Sequence, residues 1–249
     1  MRRKLIAANW KMYKTPEQAQ AFISSFLPHV WEHSRDEIVL CPPFVCIPAV
    51  VEAVRDSRIV VGGQDVFWEK EGAYTGAVSA HMLKAVGCSH VIIGHSERRQ
   101  YFGETDDTVN RKLRAALAAE LTPIVCVGEV LQEREAGATE DILRRQCSVA
   151  FREISGGQAI PIVVAYEPVW AIGTGKTATP EMAVDAHQVI RREAANAFGE
   201  GVATQLRILY GGSVKPENAK ALMSQAEIDG ALVGGASLDP KSFAAIVKW

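Results

Sequence analysis

Residues 160–180 read IPIVVAYEPVWAIGTGKTATP. An apolar, β-branched run leads into Glu167-Pro168, then a glycine-bearing segment, then Thr179-Pro180, a pair that opens helices. The stretch is one strand–loop–helix unit. Within it, Gly175-Lys176-Thr177 matches the end of a nucleotide-binding P-loop, which needs Gly, four residues, then Gly-Lys-Ser/Thr. The first glycine of that loop belongs at position 170, where this chain has Trp170. A P-loop also follows the first strand of an open-sheet nucleotide fold, without an acid and a Trp at its head. Stiff ends around a glycine-bearing centre are instead the composition expected of a closing flap. The segment reads as a lid and not as an ATP site.

The same unit recurs along the chain. KLIAAN (4–9), EIVLC (37–41), RIVVGG (58–63), HVIIG (90–94), TPIVCV (122–127), LRILY (206–210) and DGALV (229–233) are further strand candidates. Most are continuous apolar runs without alternation, as expected of parallel strands buried on both faces. Helix starts lie between them. Thr15-Pro16-Glu17-Gln18 combines an N-cap, Pro at the first helical position and Gln three residues after the cap, and Ala19, Phe22, Ile23 and Phe26 then share a face. Thr179-Pro180 and Asp239-Pro240 open helices in the same way. After Thr105, the acids Asp106 and Asp107 sit near the positive helix end, and Val109, Leu113, Ala116 and Leu117 repeat on one side. Eight such units in 249 residues, about 31 each, match a closed (β/α)8 barrel of eight parallel strands with outer helices. An open doubly wound sheet lacks its Gly-x-Gly-x-x-Gly turn after the first strand. No Pro/Ser-rich linker divides the chain, so residues 1–249 read as one barrel domain.

Lys and Arg number 27 against 29 Asp and Glu, a net charge of −2, which offers neither nucleic acid nor an anionic membrane a basic face. The apolar runs fall far short of a membrane span, and MRRKLIAANW is too short in apolar residues for a secretory signal. Cys41, Cys46, Cys88, Cys126 and Cys147 are odd in number and form no Cys-x-x-Cys, the pattern of reduced thiols in a cytoplasmic protein.

A barrel of this kind gathers its chemistry where the strands end. Glu167 closes the sixth strand ahead of Pro168, which cannot continue a ladder. A lone acid there is usually solvated or caps a helix. Its junction with the glycine-bearing loop favours a carboxylate aimed into the barrel mouth, suited to taking a proton from carbon beside a carbonyl. His95 closes the fourth strand before SERR, a helix start. Lys11 follows the first strand directly, where a cation either draws in an anion or is merely solvated. Ser213, Gly234 and Gly235 stand after strands seven and eight, the usual phosphate position of such barrels, although turn glycines often serve backbone geometry alone. No cationic side chain is obvious at those loops. A metal site is not expected, because no His-x-x-x-His or Cys pair accompanies His95.

Taken together, NWK (9–11), GHSERR (94–99), CVGE (126–129), YEPVWAIGTGK (166–176), YGGSV (210–214) and VGGASL (233–238) resemble the triosephosphate isomerase family, in order and over essentially the whole chain. The resemblance implies a TIM barrel that interconverts D-glyceraldehyde 3-phosphate and dihydroxyacetone phosphate through an enediol, without metal or organic cofactor. It makes Glu167 the general base and His95 a neutral electrophile, whose pKa in this family is lowered by a helix N-terminus. Lys11 becomes the electrostatic and binding cation, with Asn9 beside it. Ser213, Gly234 and Gly235 hold phosphate, and the Gly173 N–H of the lid joins them. Glu97 stands near the lysine in a supporting place. The long loop QDVFWEKEGAYTGAVS (64–79) carries Phe67, Trp68 and Tyr74, so either it folds back on itself or, as the family implies, it enters a second subunit with Thr75 near the tip.

Two other functions fit these residues less well. A Schiff-base aldolase needs a nucleophilic lysine inside the mouth, and the sixth strand has none. A phosphate-metabolite sensor on the same fold is expected to have lost Glu167 or His95, and both are present. Cys126, near the mouth on the fifth strand, reads as a packed thiol.

Overall fold

A computed structural model of the chain describes residues 2–172 and 177–249. Eight strands, β1 (Leu5–Asn9), β2 (Glu37–Cys41), β3 (Val60–Gly63), β4 (His90–Ile93), β5 (Thr122–Val127), β6 (Val163–Tyr166), β7 (Arg207–Tyr210) and β8 (Gly230–Val233), pair in chain order. All pairs are parallel, and β8 closes on β1 through Leu5↔Gly230 to Ala8↔Val233. Helices Pro16–Val30, Ile47–Ala53 and Ala80–Ala85 follow the first three strands; Ser96–Phe102 and Asp106–Ala118 follow β4. Leu131–Glu135 and Thr139–Ala150 follow β5, and Pro180–Phe198, Pro216–Met223 and Pro240–Val247 follow the last three strands.

The helix starts behave as their sequences dictate. Thr15 accepts the Gln18 N–H, and the Gln18 side chain accepts the Thr15 N–H at 3.0 Å, a complete capping box. Thr179 and Asp239 accept the N–H groups of Met182 and Ser242 three residues on. The faces carrying Phe22, Ile23, Phe26, Val109 and Leu113 are buried against the barrel.

Alternation along each strand divides the core in two. Leu5, Ala7, Val39, Ile92, Ile124, Cys126, Val163, Ala165, Leu209 and Leu232 fill the barrel, whereas Ile6, Ala8, Leu40, Val91, Ile93, Val125, Val164 and Ile208 meet the helices. Extending the inward set by one alternation lands on Asn9, Glu167, Gly211 and Gly234. The packing that fills the barrel thus aims these residues at its mouth.

Two sequence expectations need trimming. The sixth apolar run becomes strand only from Val163, because a helical turn (Gly156–Ala159) carries the chain to Ile160, which is exposed. Glu167 and His95 fall one and two residues beyond their strands. Cys126 is fully buried in the inner cluster, where desolvation pushes its thiol pKa far up.

Candidate active site

At the carboxyl end of the barrel lies a cavity of about 340 Å³, with Asn9, Lys11, His95, Ser213, Gly234 and Gly235 in its wall. Six of the residues singled out from sequence therefore meet in one place. Gly173 lies outside the described residues, as does the centre of the expected lid. Its amino-terminal flank is described: Val169–Ala171 forms a short 3₁₀ turn, and the Trp170 indole donates to the buried Glu129 at 2.9 Å.

His95 would face the helices if β4 simply continued, since Ile92 points inward. Gly94 turns the chain at φ +75°, a left-handed conformation that glycine adopts without strain, and this brings His95 to the mouth. Glu104 accepts the Gly94 N–H at 3.0 Å, and Arg99 donates to its carbonyl at 2.8 Å, so the turn is fixed from both ends. His95 then caps the helix Ser96–Phe102: its Nδ1 accepts the Glu97 N–H at 3.2 Å. With Nδ1 used as an acceptor, the neutral ring carries its proton on Nε2.

That Nε2 lies 3.0 Å from Oε1 of Glu167. The Ser96 N–H and hydroxyl also donate to the carboxylate, at 2.9 and 3.2 Å. Glu167 is buried here, and it is absent from the described residues lining the cavity. Burial alone would raise its pKa; the His95 and Ser96 contacts outweigh that and hold the carboxyl below the usual carboxylate range. Burial likewise acts to lower the pKa of His95, and the Glu167 carboxylate, helped by Glu97, reverses the direction to upward. This upward pull belongs to the arrangement in which Glu167 touches the ring. The Glu97 N–H on Nδ1 works against a second ring proton, but the net direction here is upward, opposite to the lowered pKa that the family resemblance implies. Gly128 makes room for this stretch: a Cβ there would lie 1.7 Å from the Glu167 carbonyl oxygen.

Lys11 reaches into the same space. Its Nζ pairs with Glu97 at 2.5 Å, and its stem passes Gly234, where an added Cβ would lie 3.3 Å from Lys11 Cε. This corrects the expectation that no cationic side chain stands near the glycine loops. Lys11 runs alongside Gly234, and Lys215 lines the cavity as well. From sequence, Lys215 reads only as a residue ahead of a helix, because nothing local shows that its loop turns back over the barrel axis. Ser96 was equally hidden inside a helix-start motif. Among the described residues, no cluster of three or more His, Cys, Asp or Glu is arranged to hold a metal ion. No helix there is long and apolar enough to cross a membrane.

Comparison with known proteins agrees with this geometry. A family profile described as triosephosphate isomerase matches residues 4–249. The chain is 59% identical over its full length to the whole of a triosephosphate isomerase from Solibacter usitatus. It is 58% identical, again over its full length, to one from Moorella thermoacetica, of which 99% is covered. Among solved structures, triosephosphate isomerase from Bartonella henselae superposes with a TM-score of 0.89 at 38% identity, over 98% of this chain and 97% of that one. The chain belongs to the triosephosphate isomerase family.

Proposed function

We propose that this chain, as one barrel domain over residues 1–249, interconverts D-glyceraldehyde 3-phosphate and dihydroxyacetone phosphate with Glu167 as base, His95 as electrophile and Lys11 as cation. The reaction serves glycolysis and gluconeogenesis. The observation that carries the assignment of roles is the contact between Glu167 and His95 Nε2 beside a cavity that ends in glycine loops. Glu167 takes a proton from the carbon next to the substrate carbonyl, and the electron pair left behind forms the enediolate double bond. Negative charge gathers on oxygen, where the Nε2–H of His95 and the Lys11 ammonium oppose it. Transfer of the hydroxyl proton to the other oxygen and return of the abstracted proton to the neighbouring carbon then give the isomer. No cofactor enters these steps.

Held by Ser96 and His95, Glu167 is a weak base. Turning into the cavity forfeits those hydrogen bonds while the group stays shielded from water, which makes it a stronger one. Closure of the expected lid, residues 168–178, supplies that shielding. Ser213, Gly234 and Gly235 with Asn9 position the substrate.

The same reading makes the protein a cytoplasmic homodimer, with neither nucleic acid nor membrane as partner. Five buried thiols, Cys41, Cys46, Cys88, Cys126 and Cys147, suit a reducing compartment. Loop 64–79 folds back at its base, where the Phe67 N–H reaches the Val78 carbonyl at 2.8 Å and Phe67 stacks on Trp68. Its tip remains outside: Tyr74 and Thr75 are exposed, as are Met12, Val45 and Phe102 elsewhere. Apolar side chains so placed favour a second subunit. Sedimentation at micromolar concentration is expected to give twice the chain mass, and the single-chain mass refutes the dimer.

The catalytic roles are tested by a coupled isomerisation assay of native protein and Glu167→Asp. Withdrawing the carboxylate by about 1 Å is expected to cost on the order of 10²-fold. Equal rates would remove Glu167 from the role of base.

A further inference from the structure

Lys11 has φ +52°, in the left-handed region. A residue with a side chain holds that conformation only where its surroundings impose it. Here the imposition comes from both ends of one residue. Asn9 Oδ1 accepts the Lys11 N–H at 3.0 Å, and Gln64 Nε2 donates to the Lys11 carbonyl at 2.8 Å. The same Nε2 donates to the Cys41 carbonyl, also at 2.8 Å. Two carbonyls facing one side-chain amide leave no alternative orientation for it, since only the NH₂ end has two protons to give.

Gln64 follows β3, Cys41 ends β2 and Lys11 follows β1, so one amide ties together three strand ends. The Cys41 carbonyl also accepts the Trp10 N–H at 3.1 Å, which places the preceding peptide in the same knot. From that fixed backbone the lysine stem runs past Gly234 to Glu97.

We propose that Gln64 is a positioning residue, which imposes the left-handed backbone of Lys11 and thereby aims its ammonium across the cavity at substrate. The proposal rests on the assignment of Lys11 as the cation of the site. Gln64 touches no reacting atom. Without its amide, the Lys11 and Cys41 carbonyls lose a donor, the residue relaxes toward an ordinary conformation, and the ammonium leaves its place beside Gly234.

The test is a double-mutant cycle on the full chain with Gln64→Met, which keeps the length of the side chain and removes both donors. In the native background Gln64→Met is expected to lower kcat/KM by about 10- to 100-fold, as for a misplacement of around 1 Å. Inhibition by inorganic phosphate is expected to weaken by about tenfold. In the Lys11→Ala background the same substitution is expected to change kcat/KM by less than twofold, because there is no ammonium left to aim. A residue that merely braced the strands would lower the rate in both backgrounds alike. Equal losses in both, or a loss that tracks a change in sedimentation mass, overturns the proposal. Native-like rates for Gln64→Met together with an inactive Lys11→Ala reject the positioning role and keep the cation. A native rate for Lys11→Ala rejects the cation itself and the proposal with it.

Discussion

Ser96 binds both carboxylate oxygens of Glu167, its N–H reaching Oε2 at 2.9 Å and its hydroxyl reaching Oε1 at 3.2 Å. On the proposal that Glu167 is the base, a carboxylate gripped in this way must be released before it can act. The first residue of the helix after β4 is therefore a holder of the acid that follows β6. Ser96→Ala removes the hydroxyl contact and keeps the N–H. The carboxyl pKa in the native protein is depressed, so the carboxylate form persists as pH falls below the ordinary range. With one donor gone the depression shrinks, and the acid limb of the kcat/KM profile is expected to move to higher pH. Profiles of native and Ser96→Ala enzyme from pH 4 to 8 check this, and superimposable acid limbs reject it.

Stability should depend on pH through histidines remote from the mouth. Burial pushes His90 and His187 down to about 4. The folded state therefore refuses protons that the unfolded chain accepts near its ordinary value of about 6.5. Stability from these groups is complete above about pH 6.5 and is lost as pH falls toward 4, by at most about 3 kcal/mol for each. Urea titrations at pH 7 and 4.5 measure the loss. A smaller loss is expected in His90→Gln, and an undiminished one rejects the assignment.

The pair between Lys11 and Glu97 is partly open to solvent, with Glu97 36% exposed. Such pairs contribute little to folding, about 1 kcal/mol or less. Glu97→Gln is accordingly expected to leave the thermal midpoint within a few degrees of native. Its effect falls on where the ammonium rests, with kcat/KM lower by up to about tenfold. A large loss of stability with unchanged kinetics would reverse this assignment.

Gly128→Ala tests the closeness of β5 to the Glu167 peptide. A methyl group 1.7 Å from a carbonyl oxygen cannot be accommodated without moving backbone. Destabilisation of about 4 kcal/mol or more is expected, read from chemical denaturation. A native-like midpoint would mean that the two segments separate easily.

Much of this architecture was legible because it rests on local rules. Thr15 and Gln18 announce a capping box and form one, and the continuous apolar runs announce parallel strands and pair as such. Glu167, Asn9 and Gly234 reach the mouth by plain alternation from Ala165, Ala7 and Leu232. His95 does not obey that alternation, and only the left-handed turn at Gly94 explains its place. Gln64, Ser96 and Lys215 stayed hidden because their importance arises from loops of different strands meeting, which no spacing along the chain encodes. The apolar run before β6 extends past the strand because Ile160 is apolar yet sits in a connection.

The pairing of β1 with β8 has a consequence for the order in which the protein is made. Asn9 and Lys11 leave the ribosome long before Gly234 and Gly235. β1 must wait with one flank unpaired until β8 has been made. The glycine-lined end of the cavity is then completed in the same event that closes the barrel, so a nascent chain short of β8 has neither a closed barrel nor a whole cavity.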